Sequence, residues 1–210
     1  RMTEPLTYET QQEWTRLLLM SKFGIDEVET KLNIINEEFH FLHSYNPIEH
    51  ITSRSKDPQN IIQKLKRMGM EPTLENARMY LNDIGGVRVI CSLIEDVYSI
   101  ARLLARQNDI KVLKIKDYIK NPKPNGYRSY HMIVEVPVYL TDRISPVRIE
   151  VQIRTVAMDL WAGLEHKIYY KSGLEIPQEL KDEIKQAADD MAAIDQRLCK
   201  IKAQISEYTS

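Results

Sequence analysis

Glycine is scarce, with seven residues in 210. The sequence has no GxxxxGK[ST] and no strand-linked GxGxxG, so the two common ways of cradling a phosphate on bare backbone, the P-loop and the Rossmann turn, are missing. Any nucleotide bound here must be held by side chains. Cysteine is scarcer still: Cys91 and Cys199 stand far apart with no CxxC or Cys/His ligand spacing, and they indicate neither a disulfide framework nor a zinc module. No apolar run approaches the roughly 20 residues that span a bilayer, and RMTEPLTYETQQEW at the start carries no apolar signal core, so a cytoplasmic protein is expected. An excess of one charge is also lacking. The 29 Lys and Arg against 30 Asp and Glu leave a net charge of −1, which argues against duplex DNA or an anionic membrane as the main partner.

What is present is enough apolar residue, 43% of 210, for one well-buried core and a single domain over residues 1–210. From Ile25, the residues Val28, Leu32, Ile35, Phe39 and Leu42 recur at steps of three and four, which predicts a helix ended by Pro47. Asp57-Pro58 opens a second helix that closes at Gly69. Alternation then predicts strands over 87–91, 110–118, 129–138 and 147–154, with a helix over 95–107 after the first. The expected fold class is therefore α/β, a mixed α+β core. Beyond a hinge at 170–176, Leu180, Ile184, Ala187, Met191, Ile194, Leu198, Ile201 and Ile205 form a heptad stripe on a long last helix. Such a stripe wants a partner: the N-terminal helix of the same chain, another subunit, or both.

Chemistry concentrates in a few segments. NPKPNGYRSYH, residues 121–131, is a rigid basic turn with one upward tyrosine, suited to a flat anionic ligand such as a nucleotide. In VRIEVQIR, residues 147–154, the period of two puts Val147, Ile149, Val151 and Ile153 on one face and Arg148, Glu150, Gln152 and Arg154 on the other. DIGGVRVIC, residues 83–91, adds Asp83 and, past a glycine pair that permits close approach, Arg88. Two carboxylates on different strands suit Mg2+ beside a triphosphate, because Mg2+ takes one or two carboxylates and fills its shell with water and phosphate. Arg54, Lys56 and Lys64 offer a phosphate grip, although Lys64, Lys66 and Arg67 also read as a wet helix face. His40 and His43, one turn apart with His50 nearby, read either as ordinary helix-end histidines or as ligands of a regulatory zinc ion.

In chain order, NPIEHITSRSK (46–56), DIGGVRVIC, NPKPNGYRSYH, EVQIRT (150–155) and WAGLEHKIYYK (161–171) resemble the motifs of the RelA/SpoT-type (p)ppGpp synthetase domain, and the length is similar to that of the small alarmone synthetases. The resemblance covers about residues 46–171, with residues 1–45 and 177–208 as flanking helices. It implies a nucleotidyltransferase-like mixed sheet and an Mg2+-dependent transfer of the β,γ-pyrophosphate of ATP to the 3′-hydroxyl of GDP or GTP, giving ppGpp or pppGpp and AMP. By position, Arg54 and Arg88 would sandwich adenine and Lys56 and Lys64 would hold the ATP phosphates. Asp83 would bind Mg2+, and Glu150 would activate the acceptor hydroxyl and share the metal. Tyr127 would stack on guanine, with Lys123, Asn125 and His131 completing the acceptor site. Gln152, Arg154, Glu165 and His166 lie in matching motifs without an assigned duty. The family's hydrolases carry a metal-binding His-Asp pair; no His-Asp dipeptide occurs here, which implies synthesis alone. Some members are homotetramers activated by their guanosine product. Where those have an aromatic residue and an asparagine, this chain has His50 and Asp159, so the same activation is not implied. The rival reading is a non-catalytic guanine-nucleotide sensor or a single-stranded RNA-binding module, and the presence of both Asp83 and Glu150 speaks against it.

Overall fold

The computed structural model describes residues 8–169 and 175–208. Helix α1 (Tyr8–Leu42) leads into strand β1 (Ile48–Ser55), then α2 (Pro58–Arg67), α3 (Leu74–Tyr80), β2 (Gly85–Cys91), α4 (Ile94–Ala105), β3 (Lys111–Asp117), β4 (Tyr130–Tyr139), β5 (Ile144–Thr155), α5 (Val156–Ile168) and α6 (Gln178–Tyr208). The five strands form one mixed sheet in the order β1-β2-β5-β4-β3. Only the central β2–β5 pair is parallel; the other neighbours run antiparallel.

Strand alternation sorts the sheet into two faces. Val87 and Val89 of β2, Met132, Val134 and Val136 of β4, and Ile149, Val151 and Ile153 of β5 turn one way, where α1 (Val28, Leu32) and α4 (Val97, Ile100, Leu104) cover them in the main core. Burial of this kind is worth about 1.5–3 kcal/mol per large aliphatic side chain. The opposite face carries the polar residues of the same strands.

Helix α1 begins well before Ile25. Its first half turns Trp14 and Leu17 onto a second cluster with Ile61 and Leu65 of α2, Ala77 of α3, Leu81 and Ile84. Its second half lies on the sheet, and a glycine at each contact lets it approach. A Cβ on Gly24 would meet Val147 Cγ1 at 2.6 Å, and one on Gly85 would meet Ser21 Oγ at 2.5 Å. The close approach anticipated for the glycine pair is therefore made by α1, at Gly85.

The expectation that the two long helices pack on one another is corrected. Helix α1 lies on the sheet and α3, whereas α6 lies on α5 and α4. The α6 stripe is consequently open: Leu180, Ile194, Leu198, Ile201 and Ile205 are each between 43% and 58% exposed. The predicted hinge falls largely on residues 170–174, outside the described residues. Strand β1 and helices α3 and α5 were not anticipated. His40 and His43 lean on Phe41 and Phe39, at 4.9 Å between ring centroids in both pairs, and no group of three residues able to hold a metal ion occurs among the described residues. No described helix is long and apolar enough to cross a membrane.

Candidate active site

Strand register gathers the predicted residues on the open face. Gly86 lies opposite Arg54 on one side and Glu150 on the other, while Arg88 lies opposite Gln152, which in turn lies opposite His131 of β4. The period of two that buries Ile149, Val151 and Ile153 thus delivers a cation-rich row around one carboxylate.

Beside β1 opens a cleft of about 650 Å3, lined by Arg54, Lys56, Lys64, Arg67 and His166 among others. Asp57 caps α2 by accepting from the Asn60 amide at 2.9 Å, which fixes the helix that carries Lys64. Lys56 and Lys64 both donate to Asp83 Oδ2, the latter at 2.5 Å. Burial works to raise the Asp83 carboxyl, but the two ammonium groups overcome it and hold the group below the usual carboxylate range. Burial likewise depresses Lys56, against the pull of Asp83. The second oxygen, Asp83 Oδ1, is buried and accepts no hydrogen bond from the described residues.

Glu150 is placed by two neighbours. His131 Nδ1 stands 3.3 Å from Oε1, and Gln152 Nε2 donates to Oε2 at 3.0 Å. Burial raises the Glu150 carboxyl, and these contacts outweigh it and leave the group depressed. Gln152 is a crosspiece: its oxygen accepts from Arg154 at 2.9 Å and from Arg88 at 3.3 Å while its amide holds Glu150. Asp159, from the first turn of α5, reaches the same two arginines at 3.2 Å from Arg154 and 3.5 Å from Arg88. Burial depresses the Arg88 guanidinium, with Arg154 adding to the effect.

The 121–128 turn is closed on itself. The Asn125 side chain accepts from the Tyr127 amide at 3.2 Å, and Gly126, at φ +91°, donates to the Lys123 carbonyl at 2.8 Å. Tyr127 does not stand free. Arg154 donates to its hydroxyl at 2.8 Å, and that hydroxyl lies 2.9 Å from His131 Nε2. His131 thus stands between the two groups, with Nδ1 placed to donate to the Glu150 carboxylate and Nε2 beside the tyrosine hydroxyl. Lys123 Nζ lies 4.7 Å from the Tyr127 ring centroid and 4.9 Å from that of Tyr118. A planar ligand on Tyr127 therefore has to displace or share Lys123.

All the predicted site residues fall around this one face. Asn125 donates to Glu165 of α5 at 3.5 Å, and His166, next along α5, lines the cleft, so α5 reaches both regions. Arg128 is different from its basic neighbours. It donates to the Ala188 carbonyl and, at 2.8 Å, to Asp189, so it braces the turn on α6 and does not face a ligand. Tyr118 and Asp159 join the site without having been singled out as its members. Tyr118 ends the β3 alternation and Asp159 lies one helical turn after Thr155, yet both positions also fit a surface residue.

Comparison with known proteins supplies an independent line. The family model described as "Region found in RelA / SpoT proteins" matches residues 53–175. The chain is 46% identical to GTP pyrophosphokinase YwaC of Bacillus subtilis (strain 168) over 194 residues, 92% of each protein. It superposes on the crystal structure of small alarmone synthetase 2 from Bacillus subtilis with a TM-score of 0.82 at 46% identity, covering 91% of this chain and 98% of that one. Small alarmone synthetase 1 from the same organism, bound to its product pppGpp, matches with a TM-score of 0.86 at 30% identity over 93% and 99% of the two chains.

Proposed function

The chain belongs to the RelA/SpoT family, and from that premise we infer that it is a GTP pyrophosphokinase of the small alarmone synthetase type. It transfers the β,γ-pyrophosphate of ATP to the 3′-hydroxyl of GDP or GTP and so makes ppGpp or pppGpp and AMP. The observation that carries this reading is the Glu150 carboxylate, set between a lysine- and arginine-lined cleft on one side and the tyrosine-bearing turn on the other.

The two regions divide the substrates. Lys56 and Lys64 suit the ATP phosphates as point charges, and Arg54 and Arg88 suit the adenine as flat guanidinium platforms. On the other side, Tyr127 gives the guanine a stacking surface, with Lys123, Asn125 and His131 around it. The acceptor 3′-oxygen attacks the β-phosphorus, the bond from that phosphorus to the α,β-bridging oxygen breaks, and AMP leaves with the bond's electron pair. Glu150 takes the hydroxyl proton. A carboxylate held below its usual range is a weak base, which is adequate because the transition state of phosphoryl-type transfer is loose and demands alignment more than a strong nucleophile. Gln152 and His131 supply that alignment by fixing both carboxylate oxygens.

Asp83 and Glu150 are suited to hold Mg2+, since Asp83 keeps one buried oxygen that accepts nothing from the described residues and Mg2+ favours such hard oxygen donors. The ion when bound neutralises phosphate charge. The open α6 stripe supports assembly into a homo-oligomer, a tetramer by family resemblance, and a cytoplasmic enzyme fits the nucleotide substrates. Incubation with ATP, Mg2+ and either GDP or GTP, followed by anion-exchange chromatography beside Glu150→Gln, tests the reading. AMP together with a more highly phosphorylated guanosine is expected from the parent protein only. Binding of both nucleotides without transfer would make the chain a sensor instead.

A further inference from the structure

Glu150, Gln152 and Arg154 follow one another at steps of two on one face of β5, and His131 lies opposite Gln152 on β4. With the Tyr127 hydroxyl their contacts close into a ring of five side chains. Gln152 Nε2 donates to Glu150 Oε2 at 3.0 Å, and Arg154 Nη2 donates both to Gln152 Oε1 at 2.9 Å and to the Tyr127 hydroxyl at 2.8 Å. That hydroxyl lies 2.9 Å from His131 Nε2, and His131 Nδ1 returns to Glu150 Oε1 at 3.3 Å. Arg154 is the member with no surface for a substrate, being 3% exposed. Its place is costly to the fold. The Nε is buried without a hydrogen-bond partner among the described residues, and the Asp159 oxygen that faces Nη1 at 3.2 Å is shared with the like charge of Arg88 at 3.5 Å.

What a buried guanidinium supplies in such a place is geometry. It can only donate, and it donates along the fixed directions of a planar fork. With Nη1 tied to Asp159, Nη2 sets the separation between the Tyr127 hydroxyl and the Gln152 oxygen, and Gln152 in turn holds Glu150. Resting on the pyrophosphokinase reading, we propose that Arg154 is a positioning residue for the transfer, which locks the guanine-stacking tyrosine to the base Glu150 through this ring. The two parts of Tyr127 then have separate duties: its aromatic face binds the acceptor, and its hydroxyl keeps that acceptor in register with the carboxylate. A shift of the tyrosine ring carries the 3′-hydroxyl away from Glu150, and a misplacement of about 1 Å is enough to cost a hundredfold in rate.

Steady-state AMP release and calorimetric titration with GDP, on the parent protein, Arg154→Lys, Tyr127→Phe and the double variant, test the ring. Lysine keeps the charge and loses the fork; phenylalanine keeps the stacking face and loses the hydroxyl. Each single change is expected to lower kcat by about 10- to 100-fold, while Tyr127→Phe leaves the Kd for GDP within about twofold because the stack is retained. Independent effects multiply, whereas two cuts in one link do not, so the double variant should lose about as much as the worse single variant and no more. Thermal melts check folding, and Arg154→Met, which removes the unpaired N–H along with the charge, replaces Arg154→Lys if that protein does not fold. Multiplied losses in the double variant, or an unchanged kcat in the folded Arg154 variant, would overturn the proposal. Absence of AMP release from the parent protein would instead remove the pyrophosphokinase reading, and this inference with it.

Discussion

Gly86 and Glu150 are direct partners across the parallel β2–β5 pair, so the Glu150 carboxylate has a neighbour without a side chain. A Cβ at Gly86 would meet nothing nearer than 3.6 Å, whereas one at Gly85 would meet Ser21 Oγ at 2.5 Å and Ile149 Cδ1 at 2.8 Å. Two adjacent glycines thus serve two faces. Gly86→Val is expected to fold normally and lose at least about tenfold in AMP release by filling the space beside Glu150, while Gly85→Ala should lose about 1–3 kcal/mol in urea unfolding by overpacking α1. Equal stability loss in both would contradict this division.

Glu150→Gln keeps the shape of the side chain and one of its two accepted hydrogen bonds, from His131 or from Gln152, but cannot take a proton. Turnover should fall by about 10²–10⁴, with nucleotide dissociation constants changed little. A near-normal rate would remove Glu150 from the base role.

Tyr127→Ala should weaken the guanine nucleotide by about 1–3 kcal/mol, the worth of one base–aromatic stack, and leave ATP binding nearly unchanged. Calorimetric titration of each substrate alone decides it, because equal losses for both would rule out a guanine-specific stack.

Two buried carboxyls should respond to acid with opposite sign. Burial raises Asp83, but Lys56 and Lys64 prevail and depress it. Its stabilising contribution is therefore complete above the unfolded value of about 4 and is lost as pH falls through the lower folded value. Asp195, buried on α6 with the Thr155 hydroxyl as its one donor among the described residues, is raised by burial. It favours the fold when protonated and costs stability as pH rises through that raised value. Urea midpoints near neutrality should accordingly drop for Asp83→Asn and rise for Asp195→Asn, and both differences should shrink below about pH 4. Same-sign shifts would defeat the assignment.

Paired replacement of Leu198 and Ile201 by Glu places charge in the open α6 stripe. Light scattering should show a smaller assembly, with secondary structure intact by circular dichroism. An unchanged mass would mean that the stripe is not a subunit contact.

The sequence was most legible where a period was clean. The alternation of 147–154 gave both the buried and the polar face of β5, and Asp57-Pro58 marked the start of α2. Strand β1 was hidden because its pattern on an exposed edge is mostly polar, and α5 because its start abuts β5 without an intervening turn. The candidate site was legible as motifs in series. What it did not disclose were connections that only register and folding create: Gln152 joining Glu150 to two arginines, Asp159 reaching the same pair from α5, and Arg128 turned toward α6 although it sits in a basic run.

The brace between Arg128 and Asp189, together with Ala188 seated against Gly126, has a consequence for the order in which the protein becomes competent. Every cleft side chain precedes the end of α5, yet the turn carrying Tyr127, already tied to Arg154 and Glu165, gains its last brace only when α6 follows. A polypeptide halted after α5 would thus carry every residue of the cleft and still lack one of the braces that steady Tyr127.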